Sequence, residues 1–155
     1  VLRYPRGAGF GVEMDAKPKR LEIGQGVWLK KGKDVNILAI GNRVHPALKT
    51  AEELAEKGVS CGVANMRFVH PLDTKLIDEA LKLSRKIVTV EDNMLAGGFG
   101  SAIAEYLADK QADFKLLRLG IGDEFVEHGK VARLYDKLGL NADQMTEHIL
   151  KWKTK

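Results

Sequence analysis

Residues 87–107, IVTVEDNMLAGGFGSAIAEYL, hold the densest group of side chains and glycines in the chain that could serve chemistry. Two carboxylates, Glu91 and Asp92, follow an apolar, β-branched run that predicts a buried strand. A glycine-rich turn comes next and can lie close against another backbone. The apolar stripe that follows the turn predicts a helix. In open α/β sheets, the loop of such a strand–turn–helix unit is where ligands and partner domains dock. The glycines of the turn are Gly97, Gly98 and Gly100.

The glycine turn matches neither of the two common phosphate-binding motifs. A Walker loop needs a Lys before its hydroxyl residue, but Ser101 follows Gly100 directly. The dinucleotide fingerprint needs a small residue at position 103, where Ile103 stands. We therefore interpret the glycines as a close-packing device rather than an anion site. Glu91 and Asp92 are adjacent in an extended segment and point apart, so we expect them to cap backbone and to form bonds between domains, not to act as a catalytic pair.

Arg6 is a second candidate, because it follows a proline in the glycine-rich segment RGAGFG. A guanidinium on such a loop suits bidentate capture of a phosphate or carboxylate. An ion pair between domains explains the same residue equally well. Spacing alone leaves both interpretations open.

The remaining reactive side chains are scattered along the chain. They are His45, His70, His128, His148 and the single Cys61. None stands at a metal-ligand spacing from another, so the sequence predicts no metal site and no catalytic residue. Cys61 lies in an apolar strand and is predicted to be inert. His128, in a Glu-His-Gly turn, either caps backbone or contacts a neighbouring domain.

The apolar pattern predicts an α/β protein. Strands are predicted at 26–30, 35–40, 59–65, 87–90 and 114–119, and helices at 46–57, 73–83, from 101 onward, at 130–138 and at 142–152. The first two strands read as a hairpin around residues 31–34, with the first at an edge. The helical connections predict parallel pairs. We expect three layers, α/β/α, around a mostly parallel five-stranded sheet with one antiparallel edge strand.

Composition bounds the class of protein. The 155 residues are 45% hydrophobic and 30% charged with a net charge of +4, as in an ordinary soluble domain. Lysines gather at the end of the chain, at positions 151, 153 and 155, but with no series of interleaved aromatic residues to stack on bases. Nucleic-acid binding is therefore not predicted. One cysteine fits a reducing compartment, and no run approaches the ~20 apolar residues of a membrane span. A cytoplasmic protein without membrane contact is the expectation.

The start of the chain suggests a longer polypeptide. Val1 is not an initiator Met, and VLRYP reads as the end of a strand already under way. Residues 13–22 have the polar composition of a linker. We therefore expect residues 1–22 to close a preceding domain and its linker, and residues 23–155 to form the domain proper.

Six segments, in order, resemble one family. They are RYPRG (3–7), the G-x-G-V segment (24–27), ILAIGNRVHPAL (37–48), MRFVHPLD (66–73), VTVEDNMLAGGFGSAIAEYL (88–107) and DEFVEHG (123–129). Together they resemble the carboxyl-terminal domain of 1-deoxy-D-xylulose-5-phosphate synthases, within the transketolase group. The resemblance covers essentially the whole chain.

This resemblance implies an enzyme that joins pyruvate to glyceraldehyde 3-phosphate with loss of carbon dioxide, as a precursor step for isoprenoids, thiamine and pyridoxal. It implies thiamine diphosphate and Mg in the full-length homodimer, held by earlier domains, the nearer of which binds the pyrimidine. This piece alone is expected to bind neither and to be inactive.

Residue by residue, the resemblance assigns Arg6 to the substrate phosphate. It assigns Gly97, Gly98, Gly100 and His128 to packing between domains or within the dimer. An alternative is a separate carboxyl-terminal subunit of a split transketolase, acting as an interaction module.

Overall fold

Strands and helices alternate along the part of the chain that the computed structural model describes, which is residues 9, 11 and 16–154. The strands are β1 (Val27–Lys30), β2 (Val35–Ala39), β3 (Cys61–Asn65), β4 (Lys86–Met94) and β5 (Lys115–Ile121). The α-helices are α1 (Val44–Glu56), α2 (Thr74–Leu83), α3 (Phe99–Asp109), α4 (Val131–Lys137) and α5 (Ala142–Lys153). A 3-10 turn, Gly41–Arg43, leads into α1.

These strands join one sheet in the order β1-β3-β2-β4-β5. The pairs β2–β3, β2–β4 and β4–β5 are parallel, whereas β1 runs antiparallel to β3 at one edge. Helices α1 and α5 cover one face, and α2 and α3 cover the other. The predicted fold class, a three-layer α/β/α domain with a mostly parallel five-stranded sheet and one antiparallel edge strand, is confirmed.

Side chains of the central strands alternate between two separate apolar cores, as the pleat of a strand requires. In β2, Ile37 packs toward α1 and α5, whereas Leu38 packs toward α2 and α3, and both are fully buried. Asn36 is the buried polar exception, and its Nδ2 donates to the carbonyl of Ala80 at 3.1 Å. Burying each large apolar side chain contributes about 1.5–3 kcal/mol. The two cores fix the sheet, and the sheet fixes the loops at its ends.

The predicted hairpin between the first two strands is wrong. β1 pairs with β3, with Val27 opposite Asn65 and Lys30 opposite Val63. Both edges of β2 are taken by the parallel neighbours β3 and β4, so β1 has only the free edge of β3 to join. The link between β1 and β2 crosses the start of β3 at Gly32, where a Cβ would overlap the backbone nitrogen of Gly62.

Element boundaries follow the predicted caps closely. Asp73 caps α2, and its Oδ1 accepts a bond from the Leu76 amide at 3.0 Å. Gly58 follows α1 with φ +73°, which a glycine adopts without strain. β4 continues to Met94 instead of ending at Val90, since its polar end still pairs with β5. No helix among residues 9, 11 and 16–154 is both long enough and apolar enough to traverse a bilayer.

Candidate functional site

The carboxyl edge of the parallel strands is the place where the fold gathers its loops. The connection from β2 leads to β3 on one side, and the connection from β4 leads to β5 on the other. The order in which strands are added to the sheet therefore reverses between β2 and β4, although these two strands run parallel. Such a switch point leaves a crevice that holds the ligand in many open α/β sheets.

In this protein the crevice is closed by a polar network from three elements. The OH of Tyr135, on α4, donates to Oδ2 of Asp92 at 2.7 Å. Nδ2 of Asn42 lies 2.9 Å from the same Oδ2 and 2.9 Å from the Tyr135 hydroxyl. These three side chains tie the loop after β2, the end of β4 and α4 together. Asp92 is thus engaged within this chain and is not presented as a free base.

Arg43 completes the network. Its guanidinium carbon lies 3.5 Å from the centre of the Tyr135 ring, and Nη1 donates to the carbonyl of Leu140 at 3.2 Å. The side chain is buried, and this desolvation lowers the pKa of Arg43, an effect that Tyr135 and Asp92 oppose. Desolvation, followed by the bond to Asp92, raises the pKa of Tyr135. Cation–π stacking in such a setting contributes about 0.5–2 kcal/mol, so the network is a clamp for α4.

The glycine turn after β4 is filled by a carboxylate of the chain itself. Glu91 is buried, and its two oxygens accept bonds from the Phe99 and Gly100 amides, each at 2.8 Å. These are the free amides at the start of α3, which would otherwise attract an external anion. The predicted capping role of Glu91 is confirmed, and the absence of a catalytic role stays a prediction. An added phosphate would meet a negative charge here.

The three glycines of the turn have different reasons for being glycine. A Cβ at Gly98 would overlap Oε2 of Glu91 and the carbonyl oxygen of Met94, and one at Gly100 would lie 2.6 Å from Oγ1 of Thr89. Gly97 has open space around it but adopts φ +68°. The tight contacts of Gly98 and Gly100 lie within this chain. Their predicted part in packing between domains or within a dimer stays a prediction.

The remaining candidates are not brought together by the fold. Cys61 is buried at the start of β3, and burial raises its pKa to about 12, in keeping with the predicted inertness. His128 is exposed in the loop before α4. No other histidine is near it in the sequence, and its role in packing stays a prediction. Arg6 lies outside the described residues. In the described ranges, no three His, Cys, Asp or Glu side chains are grouped as a metal site requires.

Arg67 is a residue that sequence reasoning missed. It follows β3 at the carboxyl edge and holds φ +57°, and its amide donates to Oδ1 of Asn65 at 3.0 Å. A non-glycine residue in this region costs about 1–3 kcal/mol, and such strain concentrates at functional sites. The side chain is exposed and makes no ion pair with any described residue. Its position directly after a predicted strand was the available signal.

Comparisons with known proteins agree with this fold. The family model "Transketolase, C-terminal domain" matches residues 24–145. A 1-deoxy-D-xylulose-5-phosphate synthase of Thermomicrobium roseum is 46% identical over 150 residues, 97% of this chain and 24% of the relative. One of Syntrophomonas wolfei is 43% identical over 153 residues, 98% of this chain and 24% of the relative. The chain therefore spans about a quarter of the length of these curated relatives.

Solved structures show the same architecture. A split-gene transketolase, described as an inactive tetramer of its beta chain, superposes with a TM-score of 0.81 at 34% identity. The superposition covers 88% of this chain and 44% of that one. A Pichia stipitis transketolase superposes with a TM-score of 0.63 at 18% identity, over 84% of this chain and 18% of that one. The second likeness concerns the fold alone.

Proposed function

Because the chain belongs to the transketolase C-terminal domain family, we propose that it is the carboxyl-terminal domain of a thiamine-diphosphate-dependent 1-deoxy-D-xylulose-5-phosphate synthase. The full-length enzyme would join pyruvate to glyceraldehyde 3-phosphate and release carbon dioxide. The observation that carries this proposal is 43–46% identity to such synthases over 97–98% of the chain. Cytoplasmic location and a homodimer belong to the same proposal.

The domain's own part is scaffold, interface and one substrate contact. Both the Glu91-filled turn and the Asp92 network engage their polar groups internally, which favours a structural over a catalytic role. Among the described residues, no group of three His, Cys, Asp or Glu side chains could hold a metal ion, and Glu91 occupies the amides of the glycine turn. Neither observation favours binding of thiamine diphosphate or its metal ion by this domain. The proposal places both in the preceding domains. When bound there, the cofactor supplies the electron sink for decarboxylation.

Arg6 is proposed to bind the phosphate of glyceraldehyde 3-phosphate. Its guanidinium can give two parallel charged hydrogen bonds, which suits a phosphate better than the point charge of a lysine. Arg67 is a second candidate for binding an anionic group. Its cation is exposed and makes no ion pair within residues 16–154, and its backbone is strained at the carboxyl edge. Both residues would act by orienting the acceptor rather than by transferring protons.

A separate subunit of a split transketolase is the second candidate. The superposition on a split-gene transketolase chain supports it. Reading the coding sequence upstream of Val1 distinguishes the two. A continuous frame with the preceding domains supports the synthase, and a start codon directly before this region supports the subunit.

A paired experiment tests the proposed function. The full-length protein should convert pyruvate and glyceraldehyde 3-phosphate to carbon dioxide and 1-deoxy-D-xylulose 5-phosphate, with thiamine diphosphate and magnesium required. The 155-residue chain alone should form neither product. Calorimetric titration of this chain with thiamine diphosphate and magnesium should give no heat of binding. Micromolar binding by this chain, or no product from the full-length protein, would contradict the proposal.

A further inference from the structure

The segment between β5 and α4 is the most exposed stretch of the described chain. Every residue from 123 to 133 is exposed, and Phe125 has a relative accessibility of 105%. Val126 and Val131 are also exposed apolar residues. An aromatic ring fully in water, with apolar neighbours, marks an interaction surface more than a stability element.

The segment is exposed but held at both ends. On one side, the Leu95 amide donates to the carbonyl of Ile121, at the end of β5, at 2.8 Å. On the other side, the bonds of Tyr135 to Asp92 and Asn42 fix α4, although no residue of α4 is buried. The chain is therefore fixed at Ile121 and at Tyr135, on either side of Phe125. Fixing the two ends of a segment lowers the entropy cost of ordering it on docking.

The chain that precedes this domain arrives at the same edge of the sheet. β1 is antiparallel, so its first residue, Val27, lies opposite Asn65, the last residue of β3. Residues 16–26 therefore lead in at the carboxyl edge, the edge at which β5 ends and the segment begins. The topology therefore brings the preceding chain and the Phe125 segment to the same end of the sheet, although β1 and β5 are its two outermost strands.

We propose that Phe125 is the apolar anchor through which this domain docks on the domains that precede it in the longer polypeptide. The proposal rests on the proposed function only in requiring those domains. Three carboxylates flank the ring, Asp123, Glu124 and Glu127. The docking surface on the preceding domains is therefore an apolar socket with a basic rim.

Amide hydrogen exchange of residues 122–131 tests this proposal, in the full-length protein and in the 155-residue chain. We expect exchange to be about tenfold slower or more in the full-length protein, because docking excludes water from the segment. Phe125→Asp should return full-length exchange to the rate of the isolated chain. Leu29→Asp, a control at another exposed apolar residue, should leave the slow exchange intact. Both variants should melt like wild type in the isolated chain.

Three results would overturn the proposal. One is fast exchange of the segment in the full-length protein. A second is slow exchange that Phe125→Asp does not relieve. The third is concentration-dependent slowing in the isolated chain, which would assign the surface to a second copy of this domain. Synthase activity is measured separately. If the full-length protein is active but the segment exchanges fast, the docking proposal is rejected and the proposed function is not affected. Slow exchange confined to the full-length protein supports the docking proposal even without that activity.

Discussion

Glu91 is the residue that explains the glycine turn. Its carboxylate lies at the amino end of α3, where negative charge is favoured by the free amides and the helix dipole. The two bonds need the backbone of the turn within reach of a buried side chain, so position 98 has no room for a Cβ. The helix start and the close packing are therefore one feature. It requires no partner domain to account for it.

Gly98→Val should consequently destabilise this chain by itself. The added side chain would overlap Glu91 and Met94, and overpacking of this kind costs about 1–3 kcal/mol. Urea unfolding of the 155-residue chain measures the effect. Gly122→Ala is a matched control, because a Cβ there meets only Oε1 of Glu124 at 3.9 Å.

The same variant tests the predicted role of the turn at an interface. In the full-length protein, analytical ultracentrifugation of Gly98→Val should show weakened dimer association in addition to the loss of stability. An unchanged dimer in a folded variant would leave the turn with its internal role alone. A wild-type unfolding curve would contradict the internal role.

Single residues were predictable from the sequence where their reason is local. The Asp73 cap and the glycine stop after α1 depend on a few neighbouring positions, and the sequence predicts both. The bonds of Asp92 to Asn42 and Tyr135 join residues 50 and 43 positions apart. The strain at Arg67 depends on how the chain leaves β3. Such features follow from topology and cannot be derived from spacing.

At the scale of elements, α4 is attached by its polar network and by Tyr135, which packs partly buried against the apolar core that α1 and α5 cover. It contributes no buried residue, and its attachment depends on Tyr135 and on Arg43 stacked beneath the ring. The clamp also fixes the end of the segment that carries Phe125.

Tyr135→Phe should loosen α4 selectively. Loss of the hydroxyl bonds to Asp92 and Asn42 costs about 1–1.5 kcal/mol, or roughly a five- to thirteenfold faster exchange of the α4 amides. Tyr106→Phe is the matched control, because that hydroxyl also donates to a carboxylate, Asp78, but from α3. Equal exchange at residues 131–137 in both variants would refute the clamp.

The clamp should also make the free energy of unfolding depend on pH in the alkaline range. The pKa of Tyr135 is raised in the folded state, so the neutral phenol is favoured there. Its contribution is complete below the ordinary tyrosine pKa of about 10 and is lost as pH rises through the raised value. Denaturant unfolding should show a decline above pH 10 that is smaller in Tyr135→Phe. An identical decline in both proteins would mean that Tyr135 is not the group involved.

Elements were predicted better than their pairing. The apolar run of β2 indicates a central strand, and the fold confirms it. The same centrality excludes the hairpin, because a central strand with two parallel neighbours has no free edge for β1. A short polar link between two strands suggests a hairpin from local pattern alone. The competing fact, that crossover helices bring β3 and β4 to both sides of β2, is a property of the whole sheet.

At the scale of the whole molecule, the chain corresponds to one part of longer relatives in its family. The relatives are about four times as long, since this chain spans 24% of each. The domain boundary near residue 22 stays a prediction. The proposed substrate, cofactor and dimer concern the longer polypeptide, and only the family resemblance suggests them. No composition or spacing in this chain specifies them.

The most direct test of this account is the acceptor specificity of Arg6→Ala in the full-length protein. We expect kcat/KM for glyceraldehyde 3-phosphate to fall by about 30- to 1000-fold, since one charged contact is worth about 2–4 kcal/mol. Pyruvate binding should stay nearly intact, and an aldehyde acceptor without phosphate should react almost as in wild type. Arg85→Ala, directly before β4 and paired with Asp113, is the control and should change neither rate. Equal losses with phosphorylated and unphosphorylated acceptors would contradict the account and make Arg6 a structural ion pair.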